Sequence, residues 1–210
     1  MTAATGSVVD GAARAARTHR GQRTRERLRD AARAVFAEQG YAGARVADVV
    51  ARAGVSHGTF YTYFRNKAAV LDALIDVTAD ELSSVVEEPW EGPDGSATVE
   101  AVIDRFVASF AEHADVVRAW LEASAHDQHF RDRLRQVRSG YVERVARTLS
   151  PVLSETPHDP VVAAGALVAM VEGYATRGLL GQDQHRRADV VRTLTAIWVG
   201  GLVRLAEEAS

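Results

Sequence analysis

Between residues 24 and 67 the apolar side chains recur at helical spacing, and glycine cuts the run twice, at Gly40 and Gly54. A stretch punctuated in this way reads as successive short helices rather than one long one. Leu28, Ala31, Ala32, Val35 and Phe36 define a first amphipathic helix over 24–39, with Gly40 as its stop. Val46, Val49, Val50 and Ala53 form a second, shorter stripe that Gly54 breaks. Ser56 is placed to cap a third helix carrying Phe60, Tyr61, Tyr63 and Phe64. Asn66 caps a fourth, longer one that runs through Val70, Leu71, Leu74, Ile75 and Leu82.

Helical periodicity continues to the end of the chain and strand alternation is nearly absent, so the expected fold class is all-α. The segment 87–96, with two Pro, two Gly and four acids, predicts a loop. Helices are expected from about Thr98, near 114–125 and over 128–149, with Pro151 and 154–158 breaking the pattern. Asp159-Pro160 combines a capping acid with proline at the first helical position, predicting a helix to about Leu180 that Gly181 ends. A last helix covers 187–207. The two longest uncharged stretches after residue 100, 161–171 and 193–203, have eleven residues each. A membrane-spanning helix needs about 20. No apolar leader opens the chain, so a cytoplasmic protein without membrane contact is expected.

The formal charge of −3 hides an asymmetry. Residues 1–70 carry eleven Arg and Lys67 against five acids, a net +7, whereas the other 140 residues net −10. A basic third joined to an acidic remainder points to an anion-binding module attached to something else. With no cysteine, disulfide scaffolds, thiolate nucleophiles and Fe–S clusters are excluded.

The chemistry concentrates in 47–67, ADVVARAGVSHGTFYTYFRNK. Two short helices around Ala53-Gly54-Val55-Ser56 fit a helix-turn-helix, whose second helix enters the DNA major groove. Four of the fourteen aromatics fall between 60 and 64. Phe60 and Phe64 share one helical face and suit a core, while Tyr61 and Thr62 point away from it. Their hydroxyls suit phosphate oxygens or base edges, with Arg65 and Lys67 adding charge.

Residues 24–67 resemble the N-terminal DNA-binding domain of the TetR (tetracycline-repressor) family. The resemblance rests on Phe36-Ala37-Glu38-Gln39-Gly40-Tyr41, Ala53-Gly54-Val55-Ser56, Gly58-Thr59-Phe60-Tyr61 and Tyr63-Phe64-x-Asn66-Lys67. It implies that His57, Gly58, Thr59, Tyr61 and Thr62 lie at base edges and adjacent phosphates, and that Tyr63 and Lys67 hold the DNA backbone. Arg45 and Val46 would face a phosphate across the groove. The chain departs from the family at Ala44, Arg45 and Ala47, where a threonine hydroxyl usually caps the second helix and a basic residue often follows. Thr193-Leu194 and Ile197-Trp198-Val199 are weakly similar to the ethionamide-resistance-regulator branch.

Three parts are therefore expected: a disordered basic arm over 1–19, a helix-turn-helix domain over 20–67, and a ligand-binding and dimerisation bundle over 68–210. Arg14, Arg17, Arg20, Arg23 and Arg25, with no acid between them, would let the arm reach a minor groove. In the bundle, Phe106, Phe110, Trp120, Met170, Glu172, Tyr174 and Trp198 are the candidate walls of a pocket for a small apolar effector. Glu172 interrupts the apolar run VVAAGALVAMVEGY, where an unpaired carboxylate is expensive, so it must pair, reach solvent or face a ligand. Gly165, Gly173, Ala175, Gly200 and Gly201 would let the last two long helices approach a second copy closely. One helix-turn-helix reads only a half-site, so a homodimer on a pseudo-palindromic operator follows.

His113, His126 and His129 do not supply a zinc ligand set, and no cofactor is expected. No nucleophile elbow, phosphate loop or carboxylate pair appears, so catalysis is not expected. The reading is a ligand-released transcription repressor. An activator built on the same domain, or a helical binding protein without an operator, are its rivals.

Overall fold

The computed structural model describes residues 5–84, 96–179 and 185–207, with side chains from residue 19 onward except those of residues 179 and 207. Every element among them is a helix: α1 (Thr5–Gly43), α2 (Val46–Ala53), α3 (His57–Tyr63), α4 (Lys67–Ser84), α5 (Ser96–Glu112), α6 (Ala114–His126), α7 (Gln128–Leu153), α8 (Pro160–Leu179) and α9 (Arg187–Glu207). Two compact units result, residues 1–75 and 76–210. Lys67 opens α4, and the division falls further along that helix, after Ile75. The arm expected to be disordered over 1–19 is instead helical from Thr5, as the first part of α1, with its side chains before residue 19 outside the described residues. Of the loop predicted over 87–96, residues 87–95 lie outside the described residues and Ser96 opens α5.

In the first unit α1 is interrupted where glycine predicted a stop. Gly40 has φ 72° and ψ 166°, a conformation open to a residue without Cβ, and a further turn follows it. Leu28, Ala32, Val35, Phe36, Val49, Phe60, Phe64, Val70, Leu71 and Ile75 are buried, so the stripes read from the sequence form its core. Arg25 stacks its guanidinium on the Phe64 ring at 5.6 Å.

In the second unit α7 packs on α8 and α6, and α5 packs on α9 and α8. Their shared core includes Ile103, Phe106, Phe110, Tyr141, Leu149, Val168, Leu194 and Trp198. One expectation is corrected here: Pro151 does not end α7, which continues to Leu153. Leu149 and Leu153 are both buried one turn apart, and Pro151 is exposed in the final turn. The lost N–H costs one bond near a helix end, and burial of Leu153 outweighs it. Asp159 caps α8 as predicted, accepting from the Val161 amide at 2.7 Å.

Candidate DNA interface and ligand cavity

The helix-turn-helix is assembled by caps. Gly54 takes the left-handed conformation (φ 62°, ψ 42°), and its N–H and that of Val55 bond to the carbonyls of Ala51 and Val50. Arg27, from α1, donates to the Ala53 carbonyl at the same helix end. Ser56 then caps α3, its Oγ accepting from the Thr59 amide at 3.1 Å. At the start of α2 the missing hydroxyl has a substitute. Arg45 occupies the cap position with extended backbone, and the Asp48 carboxylate accepts from its N–H at 3.1 Å. Because arginine has no acceptor, only this reciprocal half of a capping box forms.

Of the residues assigned to DNA, Arg45, His57, Gly58, Tyr61 and Thr62 are exposed, and Val46, Thr59 and Tyr63 are half-buried. Tyr61 keeps 58% of its surface in solvent while its neighbour Phe60 keeps none, so α3 has the two faces its spacing predicts. Thr62 Oγ1 donates to the Gly58 carbonyl at 3.0 Å, which leaves its lone pairs as the outward chemistry. Arg20, Arg23, Arg25 and Arg65 are also exposed in this unit.

Lys67 has a different setting from the one its charge suggested. Its Nζ donates to the carbonyls of Tyr41, Ala42 and Ala44, at 2.7, 3.2 and 3.0 Å, and sits 4.6 Å from the centre of the Tyr41 ring. An ammonium has three protons, and three carbonyls take them. The side chain ties the start of α4 to the last turn of α1 and to Ala44 in the link that follows it. Sequence reasoning missed this tie because it spans more than twenty residues, with only a lysine after an aromatic segment to signal it.

The bundle holds three cavities near the predicted pocket residues. The largest, about 470 Å³, is bordered by Phe106, Phe110, Trp120 and Glu172, together with Leu82 of α4 and Arg138 of α7. A second of about 360 Å³ shares Phe110 and adds Tyr174, Arg118 and His185. A small recess of about 40 Å³ is lined by Phe106, Tyr141, Glu172 and Trp198. Six of the seven predicted residues border one of these spaces. Met170 borders none of the three and is half-buried against the core.

Glu172 is paired, its Oε2 3.2 Å from Arg138 Nε. Burial still raises its pKa above the usual carboxylate range, with Arg138 pulling the other way. Tyr141, unforeseen from the sequence, is 5% exposed, and burial pushes its phenol up to about 12. Hydrogen bonding by the nearby Ser83 hydroxyl pulls the other way. Ser83 Oγ accepts from Arg144 Nη2 at 2.7 Å, and Tyr141 Oη makes no hydrogen bond of full geometry within the protein. Trp198 Nε1 is likewise buried and unpartnered. Trp120 differs, since its Nε1 donates to the Phe130 carbonyl at 3.1 Å.

The histidines fall apart in space and role. His113 is buried, with Nδ1 2.9 Å from the Ser109 carbonyl and Nε2 2.6 Å from the Glu81 carboxylate, while His126 and His129 are exposed.

Comparison with known proteins gives this geometry a lineage. Residues 28–74 match the model described as bacterial regulatory proteins, tetR family, and residues 95–201 match that of the BetI-type transcriptional repressor, C-terminal. The HTH-type transcriptional regulator BetI of Escherichia coli strain UMN026 is 31% identical over 162 residues, covering 74% of this chain and 82% of that protein. The chain belongs to the TetR family of transcriptional regulators.

Solved structures agree on the fold. A TetR-family regulator from Syntrophomonas wolfei superposes with a TM-score of 0.72 at 17% identity, over 87% of this chain and 96% of that one. FadR of Bacillus subtilis, solved in complex with stearoyl-CoA, gives 0.68 at 19% identity, over 84% and 98%. The TetR-type DNA-binding match covers the helices built above. The C-terminal match is of the BetI type, whereas the last helix alone suggested the ethionamide-regulator branch. No helix among the described residues is long and apolar enough to cross a membrane.

Proposed function

We propose that this TetR-family regulator is a cytoplasmic, dimeric repressor that a small, largely apolar effector releases from a pseudo-palindromic operator. The observation that carries the ligand half of this reading is Leu82. It borders the 470 Å³ cavity and lies on α4, the helix that begins at Lys67 beside the helix-turn-helix. An effector that fills the cavity acts on α4 directly. It can shift the equilibrium only by binding the DNA-incompetent arrangement more tightly than the competent one.

The DNA half rests on the exposed face of α3, with Tyr61 and Thr62 directed to base edges and phosphates and Arg45 and Val46 facing a phosphate across the groove. His57, Gly58 and Thr59 form the amino-terminal approach to the groove, and the basic arm lies along the adjacent minor groove. Lys67 acts here as a positioning residue for α4. Tyr63 flanks the DNA backbone.

Dimerisation is assigned to α8 and α9. Val161 and Val162 on α8 and Ile197 and Val203 on α9 are exposed apolar side chains. Added Cβ atoms at Gly165, Gly173, Gly200 or Gly201 would meet nothing within 4 Å, so another helix could approach closely there. That FadR of Bacillus subtilis was solved with an acyl-CoA supports a ligand of apolar character for this fold. The test is a gel shift on the DNA flanking the protein's own gene. The reading expects a complex of one dimer per site that apolar ligands dissolve. Failure to shift any of that DNA at moderate salt would overturn it.

A further inference from the structure

Charge is unevenly placed around the 470 Å³ cavity, whose volume is that of a small-ligand pocket. Phe106, Phe110, Val117 and Trp120 line it and are all buried. Among the described residues its charged lining is Arg138 of α7 with Glu172 and Arg177 of α8. Two positive groups and one negative leave a surplus of one positive charge. Both arginines are exposed and Glu172 is half-buried, so the charge lies toward solvent and the buried rings lie behind it. The cavity has an apolar depth and a positive rim.

The arginines have capacity beyond what the protein uses. Arg138 meets Glu172 through Nε, at 3.2 Å from Oε2, and neither of its Nη atoms donates to a described residue. Arg177 makes no hydrogen bond or ion pair with any described residue. A guanidinium carries five N–H donors in a planar fork that fits a carboxylate on two parallel bonds. Arg138 can therefore keep Glu172 at Nε and offer its Nη edge to a second acceptor. Glu172 does not bar an anion from that edge. Burial already lifts its pKa, a nearby negative charge lifts it further, and the acid answers by taking up a proton. The charge count then selects the guest. One negative charge cancels the surplus, a phosphate dianion overshoots it, and a cation adds to it while competing with Arg138 for Glu172.

Resting on the reading of the bundle as the effector site, we infer that the effector is an amphipathic monocarboxylate. Its apolar chain lies among Phe106, Phe110, Val117 and Trp120. Its carboxylate accepts from Arg138 at the rim, and Arg177 adds the second positive charge there.

Calorimetric titration of the full-length protein without DNA tests this, with decanoate as probe and decanol and decyltrimethylammonium as uncharged and cationic molecules of the same chain. Decanoate should bind more tightly than either. Arg138→Gln should weaken decanoate about tenfold, the value of a hydrogen bond to a charged group, and should cost decanol far less. Arg177→Gln should weaken decanoate by a smaller factor. Glu172→Gln should tighten it, because the like charge beside the carboxylate is gone. Tighter binding of decanol or of the cation, or no decanoate binding, would overturn the assignment. So would decanoate affinity that Arg138→Gln leaves unaltered, or weaker decanoate binding by Glu172→Gln. An equal loss of decanol and decanoate affinity in Arg138→Gln would mark Arg138 as a support of the cavity wall, and would overturn it too. Because the titration contains no DNA, these failures are separable from failure of the regulator reading, which an absent gel shift would reveal.

Discussion

Lys67 Nζ in the first unit and Tyr141 Oη in the second are both polar atoms drawn away from water, and the chain treats them in opposite ways. The lysine meets three carbonyls, whereas the phenol meets no protein acceptor. The contrast extends across each unit. Around the helix-turn-helix, Asp48, Ser56, Asn66 and Arg27 satisfy helix ends. Every unpartnered buried side-chain atom among the described residues lies in the bundle, which also holds the cavities described above. A DNA-reading surface gains from being fixed before it meets a rigid duplex, since ordering it later would subtract from affinity. A sensor must retain capacity that a ligand completes.

Substitutions that break the first unit should have the largest effects. Phe60→Ala removes a fully buried ring at the centre of that unit, and chemical denaturation should register a loss of about 3–5 kcal/mol. Lys67→Ala should follow at about 2 kcal/mol, the scale for a charged group's hydrogen bonds, with operator affinity falling through disorder of the α1–α2 connection. If the variant is as stable as wild type but binds DNA poorly, Lys67 touches phosphate after all, and its role as a tie is wrong.

Tyr61→Ala sharpens the contrast from the other side. This exposed residue should change stability by less than about 0.5 kcal/mol, while fluorescence anisotropy shows operator affinity falling about tenfold. The smallest effect belongs to Glu172. Its folded-state pKa is raised, so the folded protein holds its proton more tightly than the unfolded chain does. The stabilisation is complete below the ordinary glutamate pKa and fades as pH rises through the raised value. Melting curves should therefore show wild type losing ground to Glu172→Gln over that interval, and parallel curves would contradict it.

Much of the first unit was legible in the sequence because its determinants are local. Gly40, Gly54, Ser56 and Asn66 act on backbone within a few residues, and the Phe60 and Phe64 spacing follows from helical geometry alone. Asp159-Pro160 was legible for the same reason. Pro151 was not, because burial of Leu153 depends on what packs against α7. The candidate pocket was legible only as a set of aromatics with Met170 and Glu172 among them. Whether Met170 or Tyr141 faces a cavity depends on helix rotation and on which helices neighbour it, and neither leaves a trace in periodicity. The charge of Lys67 was legible and its three carbonyl partners were not.

The central claim is that the first unit of each of two copies reads half of a symmetric site. DNase footprinting across the DNA flanking the gene tests it most directly. The account predicts protection of two inverted half-sites, their centres about one helical turn apart or modestly further, with two chains bound per site. Protection of a single unrepeated element by one chain, or none at physiological salt, would contradict it.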